Sequence, residues 1–124
     1  MRICIDLDGV ICNLKKDGQS YHELLPVEGA VEKLKEFQNA GHYIIINTAR
    51  HMKTCGANIG LVNSRISLDT LTWLQKFEVP FDEIYFGKPW AEIYIDDNAF
   101  RFTNWKEINN DASNLPSSSE SKLK

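Results

Sequence analysis

Short apolar runs that each stop at a polar, chemistry-bearing residue constrain this chain more than any other feature. Arg2–Leu7 is apolar-rich and runs into Asp8-Gly9, the pattern of a buried strand followed by a turn. Tyr43–Asn47 is β-branched and apolar, with Thr48 at its tip. Glu83–Phe86 and Ile93–Ile95 predict two further short strands, the second closing on Asp96-Asp97. Amphipathic stretches lie between them. Val27, Ala30, Val31, Leu34 and Phe37 recur at three- and four-residue steps, with Pro26 at the start and Gly41 just past the end, as in a helix with one buried stripe. Ser67 is positioned to cap a second helix reaching Phe77, with Leu68, Leu71, Leu74 and Phe77 on one face.

Residues 11–25 read as a loop or small flap. Residues 49–66 read as a long polar connection, longer than scaffolding needs and of the kind that carries function. Thr103–Asn109 predicts a brief final helix. The order strand–helix–strand–helix–strand–strand specifies an α/β fold with a small, mainly parallel sheet. Ligands of such sheets bind beyond the carboxyl ends of the strands. The polar residues at those ends are Asp6 and Asp8, Thr48, Lys88, and Asp96 and Asp97. The expected organisation is one domain over residues 1–110, followed by a polar, flexible tail over 111–124.

Composition excludes several partner classes. The 124 residues carry 14 basic and 17 acidic side chains, a net charge of −3, which supplies neither a nucleic-acid footprint nor a basic membrane face. No apolar run approaches the roughly 20 residues of a membrane span. Asp6 and Asp8 stand where a signal peptide needs an apolar stretch, so a cytoplasmic location is expected. Cys4, Cys12 and Cys55 fit neither a disulfide framework nor a zinc pattern. Cys4 reads as a small core residue, Trp73 and Trp105 as packing residues.

Asp6 and Asp8 are two residues apart at the end of a strand, so both carboxylates can face one side. Two acids this close repel, which raises a pKa or calls for a cation. If the strand ending in Asp96-Asp97 neighbours the first, four carboxylates meet at one edge and suit a hard, oxygen-loving cation such as Mg²⁺. Lys88 then brings the charge near zero for a phosphate. The Thr48 hydroxyl and backbone N–H groups in the turn at Gly9 can donate to phosphoryl oxygens.

Four ordered motifs now stand together: Asp6-Leu7-Asp8-Gly9-Val10, Thr48 after Tyr-Ile-Ile-Ile-Asn, Lys88, and Asp96-Asp97 after Ile-Tyr-Ile. They resemble the four motifs of the haloacid-dehalogenase (HAD) superfamily, in the same order. The run Thr48-Ala49-Arg50-His51-Met52 and the short chain look like a compact subgroup associated with capsule or surface-polysaccharide synthesis. The resemblance implies a Rossmann-like three-layer sandwich. It also implies an Mg²⁺-dependent phosphohydrolase that cleaves a phosphomonoester, such as a sugar phosphate, through an aspartyl-phosphate. By position, Asp6 is the nucleophile and Asp8 the general acid and then base. Asp6, the Asp8 carbonyl and Asp96 hold the metal, Asp97 supports it, and Thr48 and Lys88 grip the phosphoryl oxygens. Gly9, Arg50 and His51 are candidate substrate contacts.

Two departures from the family pattern matter. Neither 11–25 nor 49–66 is long enough for a cap domain, so the chain resembles a capless member, whose open site suits an extended substrate or cover by a neighbouring subunit in a homo-oligomer. The family also places a helix between its third and fourth motifs. Here six residues separate Phe86 from Ile93. They span about 20 Å, barely the return to the bottom of the sheet. A phospho-accepting receiver domain is the rival enzyme-free reading, but its phosphorylated Asp lies mid-chain and its Lys-Pro comes last, whereas Lys88-Pro89 precedes Asp96-Asp97. A non-catalytic HAD-like binding protein is a third.

Overall fold

The computed structural model describes residues 1–53 and 56–123, leaving out the side chains of residues 59, 62 and 65. The elements run β1 (Arg2–Asp6), α1 (Ala30–Asn39), β2 (Tyr43–Thr48), α2 (Ile59–Lys76) and β3 (Glu83–Phe86), with single 3-10 turns at Tyr21–Glu23, Trp105–Glu107 and Ser121–Leu123. The strands form a parallel sheet in the order β1-β2-β3. Each crossover passes through a helix, as a parallel pair requires.

Register decides which residues face the core. Ile3 pairs with Ile44, Ile5 with Ile46, Ile46 with Ile84 and Thr48 with Phe86, so these side chains share one face. Both helices pack there: Leu34 and Phe37 of α1 and Trp73 and Leu74 of α2 join Ile5, Ile44 and Ile46 in one core. The opposite face carries Arg2, Cys4, Asp6, Tyr43, Ile45, Asn47, Glu83 and Tyr85, and none of these is buried. Cys4 is therefore not the core residue that its apolar neighbours suggest. The alternation of the strand turns it outward.

Helix boundaries shift for local reasons. Gly29, in the left-handed region at φ 82°, precedes α1, so Val27 lies outside it, its carbonyl accepting from the Ala30 N–H at 3.0 Å. Asn58, not Ser67, caps α2: its side chain accepts from the Leu61 N–H at 3.1 Å. Much of the long polar connection is therefore helix, made of Ile59–Ile66. Its buried stripe is also rotated. Leu68 and Leu71 are exposed, whereas Ile66, Thr70, Trp73 and Leu74 are buried. Trp73 fixes that rotation, because its large ring buries against the core while its indole N–H donates to the Leu24 carbonyl at 2.8 Å.

The largest departure is at Ile93–Ile95, which forms no strand. Ile93 is 63% and Ile95 98% exposed. Trp105 does pack, donating to the Val10 carbonyl at 2.8 Å. The packed body continues past residue 110, because Ala112 is buried and Leu115 lies against the core. Among the described residues, no helix is long and apolar enough to cross a membrane. Cys55 lies outside them.

Ile46 sits at the centre of the middle strand and is fully buried. Ile46→Ala should lower stability by about 2–5 kcal/mol, read from urea unfolding.

Candidate active site

The strand ends gather three of the four motifs. Asp6 ends β1, Thr48 ends β2, and Gly87 and Lys88 follow β3. The Gly87 and Lys88 N–H groups both donate to the Thr48 carbonyl, at 3.2 and 3.1 Å, so the start of the Lys88 loop is pinned to the tip of β2. That turn aims the ammonium at β1: Lys88 Nζ lies 3.6 Å from Asp6 Oδ2 and 4.4 Å from the Tyr94 ring centroid. Asp6 Oδ1 accepts from the Leu7 N–H at 2.8 Å.

Burial pushes the Asp6 pKa above its ordinary 3.8. Lys88 and the Leu7 N–H pull it back, and the neighbouring Asp8 charge pushes it further up. Asp6 is thus an acid whose ionised form is costly in this fold.

Asp8, two residues on, pairs with Arg50. Arg50 Nη2 donates to Asp8 Oδ1 at 2.6 Å and Nε to Oδ2 at 3.2 Å, a two-pronged contact matched to a carboxylate. Arg50 Nη1 also donates to Thr70 Oγ1 at 3.2 Å, and the Tyr21 ring stacks 4.0 Å from the guanidinium carbon. The Arg50 side chain is 1% exposed. It lies beneath the site, not in position to contact a substrate as the sequence suggests, because its guanidinium is consumed by Asp8. His51 adopts φ 62° and packs against Tyr21, with ring centroids 5.6 Å apart.

Thr48 is fully buried, and its Oγ1 accepts from the Arg50 N–H at 3.0 Å. Gly9 takes φ 88°, and its N–H donates to the Cys12 carbonyl at 2.7 Å. Donors in that turn are used inside it: the Ile11 and Cys12 N–H groups both bond the Leu7 carbonyl at 2.9 Å. Cys12 is buried beside Arg50, and burial pushes its thiol up to about 11, so it stays a neutral thiol.

Asp96 and Asp97 are not brought to Asp6 and Asp8. Both are exposed in an irregular segment, where Asp96 Oδ1 accepts from the Asn98 N–H at 2.7 Å and the Asp97 carbonyl accepts from Ser119 Oγ at 3.2 Å. A hard divalent cation needs several oxygen ligands. Here Asp8 is committed to Arg50 and Asp6 to Lys88 and the Leu7 N–H. Among the described residues no group of three His, Cys, Asp or Glu is able to hold a metal ion. The donor set of one chain, so arranged, does not fit Mg²⁺.

Sequence reasoning missed Tyr21 and Thr70 as the walls around Arg50. The only signal was a Thr at an inward position of α2, which the predicted Leu68–Leu71 face concealed.

No protein-family profile matches the chain, and no curated protein matches it. Among solved structures, the crystal structure of a target protein from Vibrio cholerae is similar over 86% of this chain and 91% of that one, with 36% identity and a TM-score of 0.74.

Two outcomes are expected. Arg50→Ala strands Asp8 and should cost about 3 kcal/mol or more in urea unfolding. The raised Asp6 pKa means that the native state binds its proton more tightly than the unfolded chain. Stability should then fall as pH rises from 3.8 through the folded value, with the full penalty present at neutrality. Asp6→Asn should therefore raise the unfolding midpoint near neutral pH and leave it unchanged well below 3.8.

Proposed function

We propose that this chain, which belongs with the Vibrio cholerae protein in one family, is a phosphohydrolase of the HAD type that cleaves a phosphomonoester. The observation that carries the reading is the pairing of a half-buried Asp6 with Lys88 at 3.6 Å, beside the Asp8–Arg50 pair, at the carboxyl ends of three parallel strands. A carboxylate next to an ammonium group is suited to phosphoryl chemistry, because the cation attracts the phosphate that the carboxylate attacks.

The cycle has two displacements. Asp6 attacks phosphorus, forming a new O–P bond while the bond to the leaving alcohol breaks, and that alcohol oxygen takes a proton from Asp8, which has first taken one up from solvent on an oxygen released by Arg50. Water then attacks the phospho-aspartate, giving its proton to Asp8 and restoring the Asp6 carboxylate. Lys88 holds a phosphoryl oxygen in both steps. Arg50 is a positioning residue: it grips both Asp8 oxygens and fixes the orientation of that carboxyl group before substrate arrives. Thr48 holds the loop that carries Arg50 by accepting its N–H.

Magnesium belongs to the reading through the resemblance, with Asp96 and Asp97 as its further ligands. No step above passes through it, because one chain does not gather that set. The same reading includes a capless, three-layer Rossmann-like core, a cytoplasmic location, and a phosphosugar of surface-polysaccharide synthesis as substrate. In that capless reading, substrate approaches Asp6 from the strand ends.

The test is hydrolysis of an aryl phosphate with magnesium salt present. Wild type should turn over, and Asp6→Asn should lose at least about 10³-fold in rate, as expected when a nucleophile is removed. Undiminished turnover in Asp6→Asn rejects the covalent route. A long-lived phospho-protein formed from acetyl phosphate without turnover would favour the receiver-like alternative.

A further inference from the structure

β1 pairs with β2 on one side only, so among the described residues its other edge presents unpaired backbone groups. Open strand edges invite another strand. Among the described residues, the sheet face opposite the two helices carries no fully buried side chain, whereas parallel sheets are normally covered on both faces. A few residues after β3, Ile93-Tyr94-Ile95 is a β-prone, apolar segment lying in solvent, with Ile95 98% exposed. An unpaired edge and an unpaired strand sequence thus occur in one molecule.

The chain's own tether keeps them apart. The Lys88 N–H is fixed to the Thr48 carbonyl at the tip of β2. Five residue steps lead from Lys88 to Ile93. Fully extended they reach about 17 Å. A strand added parallel to β1 on its outer side must begin two strand spacings sideways and about three residues down the sheet. That is about 14 Å in a straight line, and the line cuts through β1 itself. Passing over the sheet consumes the entire extension. The segment is instead folded back, with the Tyr94 hydroxyl donating to the Pro89 carbonyl. Beyond it, Phe102 and Trp105 anchor the chain in its own core. Residues 89–101 therefore project as a loop held at both ends.

We propose that a second copy of this chain fills the β1 edge with its Ile93–Ile95 segment, and that the exchange is reciprocal about a two-fold axis. A strand from another copy carries no tether to this copy's Thr48, so its direction and register are free to match β1. In a parallel exchange whose register matches β1, the partner's Asp96 and Asp97 come to the end of the strand beside Asp6 and Asp8. The active site is then built from two chains, which accounts for a donor set that one chain leaves incomplete. The strand exchange stands on the edge and the tether. The composite site rests on the phosphohydrolase reading as well.

The test pairs an association readout with a catalytic one. In sedimentation velocity, wild type should run as a dimer at micromolar concentration. Ile95→Pro, which removes a backbone N–H, should shift it to monomer with an unchanged far-ultraviolet circular dichroism spectrum. Ile95→Thr keeps the N–H and the β-branched shape and should stay dimeric. In a single-chain arrangement Ile95 is 98% exposed, so a monomeric wild type, or a dimer indifferent to Ile95→Pro, overturns the exchange whatever the activity.

Refolding Asp6→Asn together with the double variant Asp96→Asn, Asp97→Asn, each inactive alone, should restore about a quarter of wild-type turnover, because half the dimers are mixed and each mixed dimer holds one intact site. An active wild type without such rescue overturns the composite site and leaves the phosphohydrolase reading in place. A dimer sensitive to Ile95→Pro with no turnover in wild type supports the exchange and overturns the phosphohydrolase reading.

Discussion

The buried contact between Arg50 and Asp8 organises the working end of this molecule. A guanidinium that is 1% exposed is tolerable only with its charge matched and its N–H groups accepted. Asp8 supplies the charge, Thr70 and Cys12 accept further N–H groups, and the Tyr21 ring covers the plane. Those partners come from three separate parts of the chain, the turn after β1, the 11–25 loop and α2, and Arg50 itself from the connection after β2. One side chain therefore ties the loop layer to the sheet. Loops at strand ends usually carry function and are usually the most mobile part of a domain. Here a buried ion pair gives them a fixed geometry.

Charge balance follows from that arrangement. Asp6 faces Lys88 and Asp8 faces Arg50, so the two carboxylates of one chain are neutralised without any metal. Asp6 remains the strained member: its carboxyl is pushed toward the protonated form by burial and by Asp8, and only Lys88 and one backbone N–H favour its charge. Perturbation of that sort is common where chemistry occurs.

Much of this was legible in the sequence, and the failures have physical causes. The three strands, the first helix and the convergence of Asp6, Asp8, Thr48 and Lys88 were readable because apolar period and strand-end chemistry agree there. The stripe of α2 was misread because Leu68 and Leu71 carry a helical period that tertiary packing ignores. Trp73 and Thr70 win the inward positions through an indole bond to Leu24 and a hydroxyl bond to Arg50. The role of Arg50 was invisible because nothing in Thr48-Ala49-Arg50-His51-Met52 distinguishes a guanidinium aimed at substrate from one aimed at the protein's own carboxylate. Ile93–Ile95 has the composition of a strand, yet β structure requires an accessible partner edge. Local propensity cannot report whether the connector is long enough to reach one.

That last point bears on how a short chain builds a parallel sheet. Every parallel addition requires a return crossing, and the crossing is usually a helix that covers one face. The two crossings present here, through α1 and α2, both lie on the same face, because successive right-handed connections advancing in one direction stack on one side. Covering the other face needs a crossing that advances the opposite way, from β3 to the far side of β1. Six residues between Phe86 and Ile93 leave no room for it. The exposed face, the bare β1 edge and the stranded Ile93-Tyr94-Ile95 are therefore three consequences of one missing connection. The shortness of the connector thus separates strand propensity from strand formation: Ile93-Tyr94-Ile95 keeps the composition of a strand without the reach to pair as one.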